Sequence, residues 1–177
     1  MRKLCYLFLA AMLVFAMSSC MDNRRAKNYN DKTLADDEGV TFIKNGIEGG
    51  RTEIKASELA KKNSTNPRVI SFAEMMITDH TAEVNELKNI QAAKMVDVMP
   101  GVSIDHQAKI DSLSTQTGAA FDKAYMTMMV ADHESAQKLF GEATENTSNM
   151  IQDFSRKILP KIQTHLDSAK SILSSLK

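Results

Sequence analysis

The stretch "KKNSTNPRVISFAEMMITDH", Lys61 to His80, decides how this chain folds. It closes one helix and opens another. Pro67 lacks an amide hydrogen, and its ring is tolerated only in a first turn. Asn66, directly before it, is a good N-cap, because its side-chain oxygen accepts from first-turn amides that have no intrahelical partner. Beyond Pro67 the apolar positions recur at helical spacing. Val69, Ala73, Met76, His80, Val84 and Leu87 share one face. The second helix is therefore predicted to run to about Lys94, with His80 central in its inward stripe. A connection as short as "NSTNP" makes the two helices antiparallel neighbours.

Working outward, the first helix is predicted from about Asp37 to Lys62. Its inward face carries Phe42, Ile43, Gly46, Ile47, Gly50, Glu53, Ile54, Ser57 and Ala60. Each glycine of Gly49–Gly50 weakens a helix by about 1 kcal/mol relative to alanine, so this face calls for close helix approach or for room around something bound. Downstream, "VDVMPGVS" is a break, and Ile104 to Leu113 is a short helix inside the connection. A third long helix follows, about Gly118 to Asn146. Its broad stripe holds Phe121, Tyr125, Met128, Met129, Asp132, Ala136, Leu139 and Phe140, with His133 toward one edge. The last helix, about Ser148 to Ser175, turns Ile151, Phe154, Ile158, Ile162, His165, Leu166, Ala169, Ile172 and Leu173 inward, and Pro160 should kink it. Two hairpins, 37–94 and 118–175, joined by a crossover of about 22 residues make an all-α chain of the ferritin-like four-helix type.

The N-terminus reads differently. "MRK" is a basic leader, and "LCYLFLAAMLVFAM" is too short for a comfortable membrane span but suits a signal h-region. "SSC" then places small residues before a cysteine. Residues 1–19 read as a lipoprotein signal peptide, Cys20 as the acylated first residue, 20–36 as a polar tether, and 37–177 as the helical domain. Cys5 leaves with the signal, so no thiol remains for a disulfide. The expected partner is a membrane, held through acylated Cys20. Asp22 is not directly after Cys20, so the simplest inner-membrane retention cue is missing, and the outer membrane facing the periplasm is expected. Removing Arg2 and Lys3 leaves 20 basic against 22 acidic side chains, with no basic excess for nucleic acid.

The chain has four histidines, and two of them follow nearly the same lead-in: "MMITDH" at 75–80 and "MMVADH" at 128–133. These lie on the second and third helices, whereas duplication of a hairpin would place them on the second and fourth. The shared feature is level rather than ancestry. Glu53 and His80 each lie roughly 20 Å from the first turn at 1.5 Å per residue. His133 and His165 flank the second turn at comparable distances. Glu53, His80, His133 and His165 should then converge at mid-bundle, one from each helix. Asp79 and Asp132 could orient a ring or ligate directly. Unpaired ionised groups in a core are costly, and a metal ion satisfies imidazole and carboxylate together. This donor set suits zinc, iron or copper. Met76 and Met129 each precede a histidine by four residues on the same face, which would favour copper, although methionine is also a common core filler. The competing reading is a buried hydrogen-bond network without metal. His106, in the crossover, is expected to face solvent.

Three segments, "TEIKASELAKKNSTNPRVISFAEMMITDHT", "FDKAYMTMMVADHE" and "ILPKIQTHLDSA", together resemble the ferritin-like outer-membrane-protein domains of bacteria, catalogued as a domain of unknown function (family number 4142). The resemblance covers about Val40 to Ile172. It implies a helical ferritin-like fold and an export signal, and it brings no established reaction. Di-iron enzymes of this fold use two Glu-x-x-His motifs, and no glutamate stands three residues before any histidine here. With no activated nucleophile, phosphate loop or acid/base pair either, an enzyme ranks last and no catalytic residue is assigned. Metal storage, sensing or buffering, or a part in an envelope stress response, ranks first, ahead of a structural or interaction module.

Overall fold

The structure, a computed structural model, describes residues 33–97 and 101–176. The expected signal peptide, Cys20 and most of the expected tether lie outside the described residues. Among the described residues five helices follow in order: α1 Asp37–Asn63, α2 Pro67–Ala93, α3 Ile104–Ser114, α4 Gly118–Ala143 and α5 Asn149–Ser175. Hairpins α1–α2 and α4–α5 pack side by side, α1 against α4 and α2 against α5, while α3 lies across α1 and α4. This is the predicted all-α four-helix architecture with its crossover. α4 ends three residues earlier than expected, because Thr144 to Asn146 close tight turns onto the carbonyls of Gly141, Glu142 and Ala143.

The ends are fixed by caps. Asn66 accepts from the Arg68 amide and Pro67 occupies the first turn of α2. Asp36 accepts from the Gly39 amide at 2.7 Å to start α1. It also accepts from Asn146 Nδ2 at 2.8 Å and from the Thr147 hydroxyl. One carboxylate thereby starts α1 and ties it to the far hairpin turn.

Two apolar clusters fill the bundle. One gathers Phe42, Ile43, Ile47, Val84, Leu87, Phe140, Phe154 and Ile162. The other gathers Ala56, Phe72, Met76, Phe121, Tyr125, Met129 and Ala169. Glu53, His80, His133 and His165 fall between them in sequence on all four long helices, so the core is apolar, then polar, then apolar. Close approach of α1 to α2 depends on glycine. A Cβ on Gly46 would lie 2.7 Å from Leu87 Cδ2, and one on Gly50 would lie 2.5 Å from Val84 Cγ2. Gly49 meets no atom within 4 Å, so the glycine pair serves both purposes expected of it, contact on one side and open space on the other.

Two placements differ from expectation. His133 is fully inside rather than at an edge of its stripe, and Asp132 is the residue nearer the rim. The α4 stripe is two overlapping rows. The row of Tyr125, Met129 and His133 faces the bundle axis, while Asp132 meets α3, with Lys109 Nζ 3.4 Å from its Oδ1. His106 does not face open solvent. Because α3 packs on α1, its Nδ1 lies 2.7 Å from both carboxylate oxygens of Glu48, which also accepts from the Ser103 amide.

Candidate metal centre

The four residues predicted to share a level do meet. One nitrogen from each of His80, His133 and His165 lies within 4.8 Å of one from each of the others. The rings stand edge to face, with centroids 5.4 to 5.5 Å apart. Exposure is 5 % for His80 and 1 % for His133 and His165. Helical spacing explains the placement: Met76–His80 and Met129–His133 are one turn apart on inward faces, and His165 precedes buried Ala169 by one turn.

Hydrogen-bond partners fix which nitrogen of each ring faces inward. His133 Nδ1 lies 2.9 Å from the Met129 carbonyl, which can only accept, so that nitrogen carries the proton. His165 Nε2 lies 2.9 Å from Asp79 Oδ2 and donates to it. His80 Nδ1 lies 3.0 Å from Glu83 Oε2 and donates likewise. The remaining nitrogens are His80 Nε2, His133 Nε2 and His165 Nδ1. The last two face each other at 3.4 Å. His80 Nε2 is buried without a hydrogen-bond partner. Glu53 Oε2 stands 3.2 Å from it, close enough to pair by charge but off the line a hydrogen bond requires. Glu53 Oε1 is 3.1 Å from His133 Nδ1, whose hydrogen points to Met129 instead. Glu53 is thus wedged between two imidazoles as a charge.

Electrostatics follow from this crowding. Burial by itself depresses the His80 imidazolium, but the Glu53 charge, the Glu83 hydrogen bond and the charges of Glu83 and Asp79 outweigh it and raise the group to about 9. His165 moves the other way. Burial lowers it, neighbouring His80 and His133 lower it further, and its bond to Asp79 only partly compensates. Burial pushes Asp79 up, yet His165 and Lys161 hold it below the usual carboxylate range. Asp132 is raised, first by burial and then by the Glu53 charge.

The predicted accessory residues separate into three roles. Asp79 serves the ring across the bundle, His165, rather than its own neighbour His80. Asp132 hydrogen-bonds no histidine and pairs with Lys109. Met76 and Met129 are fully buried in the apolar cluster, and it is the Met129 backbone carbonyl that meets His133. Sequence reasoning missed Glu83 and Lys161. Glu83 had a legible signal: it stands three residues after His80, on the same helix face, in the reverse order of the Glu-x-x-His motif sought. Lys161, 3.2 Å from Asp79 and 3.8 Å from Glu83, arrives from another helix and had none.

Three inward imidazole nitrogens, each with its outer nitrogen held by an acceptor, form the arrangement that orients histidines toward a cation. A nearby carboxylate can supply a fourth donor. Tetrahedral ligands about 2.0–2.1 Å from zinc lie roughly 3.3–3.4 Å from one another, which matches the His133–His165 separation of 3.4 Å. A cavity of about 440 Å³ reaches Glu53, His80 and His133 from the side of Gly49 and Asp132.

No curated protein matches the chain. Among solved structures it is similar to a DUF305 fragment from Deinococcus radiodurans, at 13% identity over 80% of this chain and 99% of that one, with a TM-score of 0.72. It is also similar to a DUF305 protein from Streptomyces coelicolor, at 12% identity over 77% of this chain and 92% of that one, with a TM-score of 0.66. At such identities the likeness is one of fold. Residues 24–172 match the family described as Domain of unknown function (DUF4142), and the chain belongs to that family.

Proposed function

We propose that this protein is a lipid-anchored cell-envelope protein that binds one transition-metal ion in its bundle core. The observation that carries the reading is the meeting of His133 Nε2 and His165 Nδ1 at 3.4 Å, each the nitrogen that its ring's other hydrogen bond leaves over. Buried His80 Nε2, without a hydrogen bond and 3.2 Å from Glu53 Oε2, joins them. His80, His133 and His165 would hold the ion and Glu53 would balance its charge, while Asp79, Glu83 and the Met129 carbonyl fix the rings. Three imidazoles and a carboxylate suit zinc, iron or copper rather than magnesium or calcium. Storage, sensing or buffering is the role that fits a bound ion with no acid/base machinery around it. Support for the anchor is the N-terminal sequence, with Cys20 as the acylated residue and the outer membrane as its location. Among the described residues no helix is long and apolar enough to cross a membrane.

The test is metal analysis of purified protein after incubation with zinc, iron or copper and removal of excess, with thermal melts alongside. One ion per chain and a raised melting temperature support the reading. Substoichiometric metal with unchanged melting overturns it, and leaves the layer as a hydrogen-bond network built around a protonated His80. Mass spectrometry of the mature N-terminus tests Cys20 separately.

A further inference from the structure

The cavity beside the histidines is far larger than an ion needs. Its volume of about 440 Å³ lies within the ~300–1,000 Å³ typical of small-molecule sites, whereas a water molecule takes about 30 Å³ in the liquid. Its walls divide by chemistry. The apolar side includes Leu87, Phe140, Phe154 and Ile162. The Phe140 and Phe154 rings sit 6.0 Å apart, tilted by 40°, and offer a flat body an aromatic wall.

The polar side has an acceptor left over. Asp132 Oδ2 is buried without a hydrogen-bond partner; Glu83 Oε1 also lacks a hydrogen bond but pairs by charge with Lys161 Nζ at 3.8 Å. The basic side chains lining the cavity are already engaged, Lys109 by Asp132 Oδ1, His106 by Glu48 and His80 by Glu53 and Glu83. An unmet carboxylate oxygen beside basic side chains that are already paired favours a ligand that donates a hydrogen bond and disfavours one that brings its own carboxylate. Asp132, Ala136 and Phe140 stand at i, i+4 and i+8 on α4, and all three line the cavity. Small Ala136 leaves a slot between a polar end and an aromatic end, about 12 Å apart along the helix at 1.5 Å per residue.

We propose that this cavity binds a one- or two-ring aromatic alcohol of the phenol class, its ring against Phe140 and Phe154 and its hydroxyl donating to Asp132 Oδ2. The site uses α4 and α5 side chains outside the histidine triad and does not depend on the ion.

The test titrates purified protein with 2-naphthol, naphthalene and naphthalene-2-carboxylate, following naphthol fluorescence and calorimetric heat. It is run once with chelator and once after zinc loading, with zinc content measured on the same samples. Saturable one-to-one 2-naphthol binding in the presence of chelator is expected, with both comparison compounds at least tenfold weaker. Gly49→Leu places a side chain from the cavity wall into space where a Cβ meets nothing within 4 Å, so it should weaken 2-naphthol at least tenfold with helix content retained. Asp132→Asn removes the charge and exchanges one of two acceptor oxygens for a donating NH2 group, and should narrow the preference for naphthol over the carboxylate at least tenfold. Absence of saturable naphthol binding to folded protein overturns the proposal, even if zinc binds. Carboxylate binding as tight as naphthol, or naphthol binding unchanged in both variants, also overturns it. Naphthol binding without zinc binding leaves it standing while the metal reading fails.

Discussion

His133 Nε2 and His165 Nδ1 face each other across 3.4 Å, and the other nitrogen of each ring is already engaged, with the Met129 carbonyl and with Asp79. Two neutral rings in those tautomers set lone pair against lone pair in a buried site. A proton or a cation between them resolves the conflict, and the predictions for the centre turn on which one does.

His165→Ala removes one of the two facing donors. Zinc affinity should fall at least tenfold, and the rise in melting temperature on zinc addition should disappear, since that rise is set by binding to the folded state. Calorimetric zinc titration of wild type and variant, each first shown to be helical by circular dichroism, checks this. Equal affinities would exclude the triad as the site.

Asp79→Asn keeps the size of the side chain but weakens the acceptor that holds His165 Nε2 at 2.9 Å. Partners of this kind typically contribute 10–100-fold to metal affinity without touching the ion. A loss in that range, measured by competition with a chelating dye, is expected, with one ion per chain retained at saturation.

Gly50 and Gly49 are neighbours that should respond oppositely to alanine. A Cβ at Gly50 lies 2.5 Å from Val84 Cγ2, so Gly50→Ala must displace the stiff Val84 side chain or the α1–α2 packing around it. The clash, typically 1–3 kcal/mol, outweighs a helix-propensity gain of about 1 kcal/mol. At Gly49 nothing lies within 4 Å, so Gly49→Ala should stabilise by up to about 1 kcal/mol. Urea unfolding of the two variants gives both signs in one experiment.

Asp36→Ala removes the N-cap of α1 together with its bonds to Asn146 and Thr147. A lost cap costs about 0.5–2 kcal/mol. Burial raises the Asp36 carboxyl, but Thr147, Asn146 and the Gly39 amide together bring it below its ordinary 3.8. A depressed carboxylate stabilises the fold fully above its unfolded value and loses that contribution as pH falls through the folded one. The difference in urea midpoint between wild type and Asp36→Ala should therefore be full at neutral pH and shrink below about pH 4, the unfolded aspartate range.

Much of this architecture was legible because helices write their burial into sequence with a fixed period. Asn66–Pro67 marked the first hairpin, and the stripes through Met76, His80, Val84 and Leu87 placed a histidine inside before any packing was known. Rise per residue then put Glu53, His80, His133 and His165 at one level, where the structure brings them together. Periodicity also showed its limit at Asp132 and His133. Adjacent residues differ by about 100° of helix rotation, and a broad stripe accommodates either. Packing of α4 against α3 chose Asp132 for the rim and His133 for the axis.

By itself, then, the sequence determined the helices, the Asn66–Pro67 start of α2, the hairpin pairing and the level of the histidines, all set by local hydrogen bonding and spacing along one chain. Tertiary structure alone decided which carboxylate orients which ring, that Lys161 would steady Asp79, that His106 would close onto Glu48, and that Gly49 would border a cavity. Apart from Glu83 and His80, which share α2, each of these joins residues of different helices. Their contact depends on helix rotation and rotamer choice, which are fixed only when the two apolar clusters pack on either side of the histidine layer.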